Sequence, residues 1–216
     1  MYVTGASSNH FHSVKQLIHS LNGRPAIFYD LGLTEEQANE IKRLPVEYRL
    51  LDWSLLPDWC HITNAPHAGS YAWKPFIIHT VFQEDHELII WCDAGNIVYG
   101  ADELENYIRQ IKLYTPFSWG TIDRWTHPTC FYGLQMDEKH KKSLMRAAGC
   151  VGLYKNDPEV AHMVEEWKHY SLQQELISGS REDHRHDQSI LSCLFYKYNR
   201  ECSLDHVGMT PHHDCD

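Results

Sequence analysis

Three stretches of the chain combine residue types and spacing that suit chemistry. The first is LIIWCDAGNIVYG, residues 88–100, where an apolar run climbs to Asp93 and the chain then turns small and polar at Ala94 and Gly95. A carboxylate at the tip of a buried strand can cap a helix, form a turn or act as the acid of a ligand site. Asp-Ala-Gly-Asn is good turn chemistry, so the fragment alone leaves these readings open. The second is YAWKPFIIHTVF, residues 71–82, where Pro75 suits the first turn of a helix and puts Lys74 near its N-terminus. A cation there opposes the helix dipole. A bound phosphate or nucleotide explains it, because helix N-termini and ammonium groups both favour anions; a side chain reaching water is the alternative. The third is REDHRHDQSILSCLFYKY, residues 181–198. Asp187 stands where an N-cap is expected. His184 and His186, two apart, read as a zinc pair or as a solvated loop feeding that helix.

Two further segments suit binding. The turn Thr4–Asn9 (TGASSN) offers backbone groups and short hydroxyls, which suit recognition by a few placed polar groups; the alternative for Ser7, Ser8 and Asn9 is an ordinary capped loop. It is neither a GxGxxG turn nor a P-loop, so those phosphate motifs are absent. The segment SWGTIDRWTHPTCFYG, residues 118–133, carries Trp119, Trp125, His127 and Phe131. Rings beside polar groups suit the C–H faces of sugars, and they equally suit a core.

Alternating elements must position these residues. Residues 1–4 read as a strand, and Phe11, Val14, Leu17, Ile18 and Leu21 follow at helical spacing. Residues 26–30 form a second strand, Thr34 with Gln37 makes a capping box that opens a helix to about Leu44, and residues 46–51 form a third strand with Val46, Tyr48 and Leu50 on one face. Residues 72–82 are helical, 87–92 a buried strand, 102–112 a helix and 149–154 a strand. Asp157 with Pro158 caps a long helix, and 187–198 is the last. Residues 52–70, 118–129 and 178–185 read as loops. Strands alternating with helices predict an α/β fold with a largely parallel sheet, whose ligands bind outside the carboxyl ends of the strands. Asp93 and the Thr4–Asn9 turn both lie at such ends.

Composition narrows the function. At 216 residues the chain suits one domain spanning 1–216. A net charge of −10 with no basic stripe excludes nucleic acid and anionic membranes as bulk electrostatic partners. The 16 His are scattered without an HExxH pair, and no CxxC occurs. Seven Cys, several among apolar neighbours, predict reduced thiols and a cytoplasmic setting. No apolar run reaches membrane-spanning length, and a strand entered at Tyr2 predicts no signal peptide; a catalytic domain cut from a longer, anchored protein is the alternative.

Taken in order, YVTGASSNH, YAWKPFIIHTVF, ELIIWCDAGNIVYGADELENYI, AAGCVGLY and HDQSILSCLFYKY resemble the nucleotide-sugar-dependent glycosyltransferases of the GT-A fold. Within these the chain is similar to the glycogenin-like group and to a less characterised group that includes transferases of large viruses. The resemblance spans nearly the whole chain. It implies a Rossmann-like three-layer sandwich with a central, mostly parallel sheet. It also implies transfer of a sugar from a nucleoside diphosphate donor, UDP-linked, to a hydroxyl of a glycan or other acceptor. By resemblance Thr4, Gly5, Ala6 and Asn9 hold the nucleotide, Lys74 contacts the donor, and Asp93 with Ala94 and Gly95 meets its diphosphate. Asp187 acts beside the donor sugar with Gln188 next to it, while Trp125 and His127 stand as acceptor candidates. The fold usually carries Asp-x-Asp at the strand tip to hold Mn²⁺ or Mg²⁺; here it reads Asp93-Ala94-Gly95 and the second acid is missing. The resemblance supplies His206, in LDHVGM, as the further metal ligand, with His212, His213 and Asp214 as rivals. A sugar- or metal-binding module that kept the fold without catalysis is the alternative. A nucleotide-sugar pyrophosphorylase fits poorly, because no Gly-rich basic loop opens the chain.

Overall fold

The computed structural model describes residues 1–64, 67–200 and 206–210. In chain order it contains β1 (Tyr2–Ser7), α1 (Phe11–Ser20), β2 (Ala26–Gly32), α2 (Glu35–Ile41), β3 (Glu47–Leu50), α3 (Trp73–Phe82), β4 (Leu88–Cys92), β5 (Ile97–Val98) and α4 (Ala101–Ile111). Then follow β6 (Leu113–Tyr114), β7 (Phe117–Thr121), α5 (Ile122–Trp125), α6 (Pro128–Gly133), β8 (Leu144–Arg146), β9 (Cys150–Tyr154), α7 (Pro158–Ser171), α8 (Gln174–Ile177), α9 (Asp187–Lys197) and β10 (Met209–Thr210).

Six strands form the central sheet in the order β3-β2-β1-β4-β9-β6. The pairs from β3 to β4 are parallel, and β9 runs against both β4 and β6. The apolar runs are continuous because both faces of the sheet are covered. Val3, Ile27, Ile89, Trp91 and Val151 face one way and pack with α3, α7 and α9. Tyr2, Ile90, Cys92 and Cys150 face the other way, against α1 and α4. Strand order reverses between β1 and β4, so the carboxyl ends of these neighbours splay apart and leave a crevice between them.

Local signals set the helix ends. Thr34 and Gln37 make the capping box that opens α2. Asp157 accepts from the backbone N–H of Glu159 and of Val160, both at 3.0 Å, and opens α7 with Pro158 in its first turn. The third strand is shorter than the sequence implies and lies at the sheet edge, with Leu50 72 % exposed. Residues 118–129 are not a loop. They contain most of β7, all of α5 and the start of α6, where Pro128 follows His127 as N-cap. Cys60, Cys92, Cys130, Cys150 and Cys193 are buried free thiols. Among the described residues no helix is long and apolar enough to cross a membrane.

Replacing Asp157 with Ala removes the α7 cap and its ion pair with Arg200. The expected loss in urea denaturation is about 0.5–2 kcal/mol, with ligand affinity at the crevice unchanged.

Candidate functional site

The crevice at the carboxyl ends of β1 and β4 opens into a cleft of about 460 Å³, large enough for a small-molecule ligand. Gly5, Ala6, Ser7 and Asn9 line it from the end of β1; Asp93, Ala94 and Gly95 line it from the end of β4. Ala148 and Gly149 enter just before β9, Tyr71 and Lys74 from the start of α3, and residues 185–188 from the start of α9.

Strand geometry aims the acid. Trp91 and Asp93 are two residues apart, so both side chains point to the face covered by α3. The Trp91 indole N–H donates to Asp93 Oδ1 at 2.7 Å. The backbone N–H of Asp93 donates to the Gly149 carbonyl at 2.8 Å, which continues the β4–β9 ladder past the strand end. Gly149 leaves room for the carboxylate, since a Cβ there would lie 3.0 Å from Asp93 Oδ2.

Lys74 is the second residue of α3, and its head does not reach water. It is buried, with Nζ 3.1 Å from Asp93 Oδ1 and 3.2 Å from Asp187 Oδ2. The carboxylates, not the helix terminus, account for this cation. One ammonium between two carboxylates leaves the group short of positive charge, and the titrations reflect it. Burial pulls the Lys74 ammonium down, but Asp187 and then Asp93 outweigh it and hold it above the ordinary lysine value. Burial pushes the Asp187 carboxyl up, Lys74 pulls it back and Asp93 pushes it up again, to about 6.

Asp187 is not the N-cap of α9. It is the first helical residue, and His186 stands at the cap position in a left-handed conformation, φ 54° and ψ −124°. Such backbone is disfavoured for a residue with a Cβ and gathers at ligand sites. Here it turns the Asp187 side chain inward to Lys74. The His186 Nδ1–H donates to the Ile177 carbonyl at 3.0 Å, which leaves Nε2 buried without a hydrogen bond. His184 is also buried, and its Nδ1 accepts from the backbone N–H of His127 at 3.4 Å. Burial lowers both rings, His184 to about 3 and His186 to about 4, so both are neutral. They are not a solvated pair, and among the described residues no three His, Cys, Asp or Glu gather to hold a metal.

The opposite wall is a left-handed turn. Ala68, Gly69, Ser70 and Tyr71 all have positive φ, between 47° and 63°. At Gly69 a Cβ would meet the Cys60 carbonyl oxygen at 2.0 Å, so only glycine fits. The turn delivers Tyr71, whose ring lies 5.7 Å from Lys74 Nζ and whose hydroxyl accepts from Arg181. Arg185 stacks on the Trp125 ring at 3.9 Å. Arg181 and Arg185 both line the cleft, although residues 178–185 read in the sequence only as a loop. Their i, i+4 spacing just before Asp187 in an acidic chain was the available signal.

Other anticipated residues sit elsewhere. Thr4 is buried within β1, one residue behind the cleft lining. Gln188 lines the cleft. Neither Trp125 nor His127 lines it. Trp125 is the floor under Arg185, while His127 caps α6 and donates from Nε2 to the Ser178 carbonyl at 2.9 Å. His206 lies outside the lining, next to Val207, whose N–H donates to the Tyr114 hydroxyl. His212, His213 and Asp214 fall outside the described residues.

No protein-family model matches the sequence, and no curated protein does. Solved structures match the fold. The galactosyltransferase LgtC, in complex with donor and acceptor sugar analogs, superposes at TM-score 0.52 with 16 % identity, over 90 % of this chain and 70 % of that one. Core-mannan synthase A from Aspergillus fumigatus, in its Mn/GDP form, gives TM-score 0.52 at 7 % identity over 90 % and 68 % of the two chains. Mouse xyloside xylosyltransferase 1, in its apo form, gives 0.50 at 10 % identity over 91 % and 81 %.

Removing the Lys74 cation leaves the buried Asp187 carboxylate, with the partly exposed Asp93 beside it, uncompensated. Lys74→Met is expected to lose about 3–5 kcal/mol of unfolding free energy at pH 8. Burial already raises the Asp187 carboxyl and Lys74 pulls it back, so without the ammonium it titrates higher still; the protein is then steadiest where Asp187 is protonated and weakens as pH rises through its folded pKa. Urea denaturation at pH 5 should therefore show a smaller loss than at pH 8. Equal losses would contradict the charge account.

Proposed function

We propose that this chain, which has the GT-A fold, is a glycosyltransferase. In this reading it moves a sugar from a nucleoside diphosphate donor, UDP-linked, to a hydroxyl of a glycan or other acceptor. The observation that carries the proposal is the Lys74–Asp93–Asp187 group, with Lys74 and Asp187 buried, at the base of a cleft at the sheet's switch point. The fold supplies the place and the site supplies the chemistry.

Gly5, Ala6 and Asn9 take the nucleotide at the end of β1, with Thr4 supporting the strand behind them. Asp93, Ala94 and Gly95 meet the diphosphate side, and Gln188 faces the donor sugar. In the reaction the bond between the sugar C1 and the phosphate oxygen breaks, and its electron pair leaves with the nucleoside diphosphate. A bond forms from the acceptor oxygen to C1, and the acceptor proton passes to the Asp187 carboxylate. Oxocarbenium-like charge develops at C1, so a carboxylate held close stabilises it. Burial makes Asp187 more basic than an ordinary aspartate, which suits proton acceptance near neutral pH. Lys74 keeps Asp187 and Asp93 from repelling one another. Trp125 and His127, on the arginine side of the cleft, support the wall against which an acceptor lies, and Trp119 is the exposed ring there, 79 % open and 5.8 Å from Trp125.

Mn²⁺ or Mg²⁺ enters this reading through Asp93 and His206. The described side chains do not fit that set: residue 95 is Gly, His206 does not line the cleft, and both Asp93 oxygens already face Lys74. No step is routed through an ion.

Purified chain incubated with a panel of nucleotide sugars should release free nucleoside diphosphate from at least one donor. Asp187→Ser should reduce that release about 10²–10⁴-fold while nucleotide affinity stays near the parent's. The parent rate should rise with pH through about 6, as the carboxylate loses its proton. Binding without release from any donor would make the chain a sugar-nucleotide-binding module instead.

A further inference from the structure

On the transferase reading of this cleft, positive charge must meet the diphosphate as the bond to C1 breaks. The strand-tip acid cannot recruit that charge in the usual way. Asp93 Oδ1 takes the Trp91 N–H at 2.7 Å and Lys74 Nζ at 3.1 Å, and Oδ2 lies 3.4 Å from the same ammonium. Residue 95 offers no carboxylate. Lys74 sits between Asp93 and Asp187, and its charge is shared by both.

Two other cations line the same cleft, Arg181 and Arg185. Neither is paired with a carboxylate among the described residues. Neutral rings orient both: Arg181 donates to the Tyr71 hydroxyl, and Arg185 lies on Trp125. Such groups fix the guanidinium planes without consuming their charge. In a chain of net charge −10, two oriented, uncompensated arginines at one cleft form a local anion site. A planar fork matches phosphate oxygens two at a time. Resting on the transferase reading, we propose that Arg181 and Arg185 bind the donor's diphosphate and neutralise the departing nucleotide, so that transfer proceeds without a divalent metal.

Calorimetric titration of UDP into the full chain in excess EDTA tests this. UDP should bind, and replacing EDTA with Mn²⁺ should change the affinity less than about twofold. Arg181→Ala, at an exposed position, should weaken binding about 10-fold, and the double variant with Arg185→Ala about 100-fold or more, as expected for charge-assisted hydrogen bonds. A thermal melt confirms that each variant is folded; if the double variant is not, Arg181→Ala decides alone. Binding that requires Mn²⁺ overturns the inference and leaves the transferase reading standing. Parent-like affinity in folded Arg181→Ala also overturns it. Failure of every nucleotide and nucleotide sugar to bind, with or without Mn²⁺, overturns both.

Discussion

One buried ammonium shared by two carboxylates governs this site. Lys74 holds Asp93 at one sheet strand and Asp187 at one helix start, within 3.1 and 3.2 Å. Removing either acid relaxes the competition for the cation, and removing the cation leaves like charges side by side, Asp187 buried and Asp93 partly exposed. The surrounding protein shields this arrangement, with Trp91 donating from the sheet and Tyr71 covering from the left-handed turn. Such a group contributes little net stability against an apolar replacement of equal size. Its retention in an interior otherwise built of Ile, Val, Leu and Trp fits a role in chemistry.

The backbone around it is strained where it meets the ligand space. His186 and the run from Ala68 to Tyr71 sit at positive φ around the cleft. Left-handed residues are disfavoured by about 1–2 kcal/mol each when they carry a Cβ, so packing elsewhere holds them in place. The core supplies that hold: α3, α7 and α9 pack as one layer on the sheet. The inward turn at His186 aims Asp187 at Lys74. Burial raises its carboxyl to about 6, against the lowering pull of Lys74 and of the Gln188 backbone N–H.

Much of the frame was legible in the sequence. The run ending at Cys92 marked a strand, Thr34 with Gln37 and Asp157 with Pro158 marked helix starts, and the alternation of elements predicted the layered sheet. Asp93, Lys74 and Asp187 were each visible as odd residues for their places. Their meeting was not, because it depends on how β4, α3 and α9 converge, and spacing along the chain carries no such information. Residues 118–129 resemble a loop in composition because Gly120, Pro128 and scattered aromatics lie among them, although Pro after a polar cap is itself a helix-start signal. Arg181 and Arg185 look like ordinary loop charges until the fold places them on the cleft wall beside Tyr71 and Trp125.

The central claim is that this cleft is where a nucleotide sugar sits. Hydrogen–deuterium exchange of the chain with and without a bound nucleotide sugar measures that location directly. The account predicts slowed exchange at residues 5–10, 93–96 and 181–189, with α7 and β3 unchanged. Binding that protects other segments while these three exchange as before would contradict it.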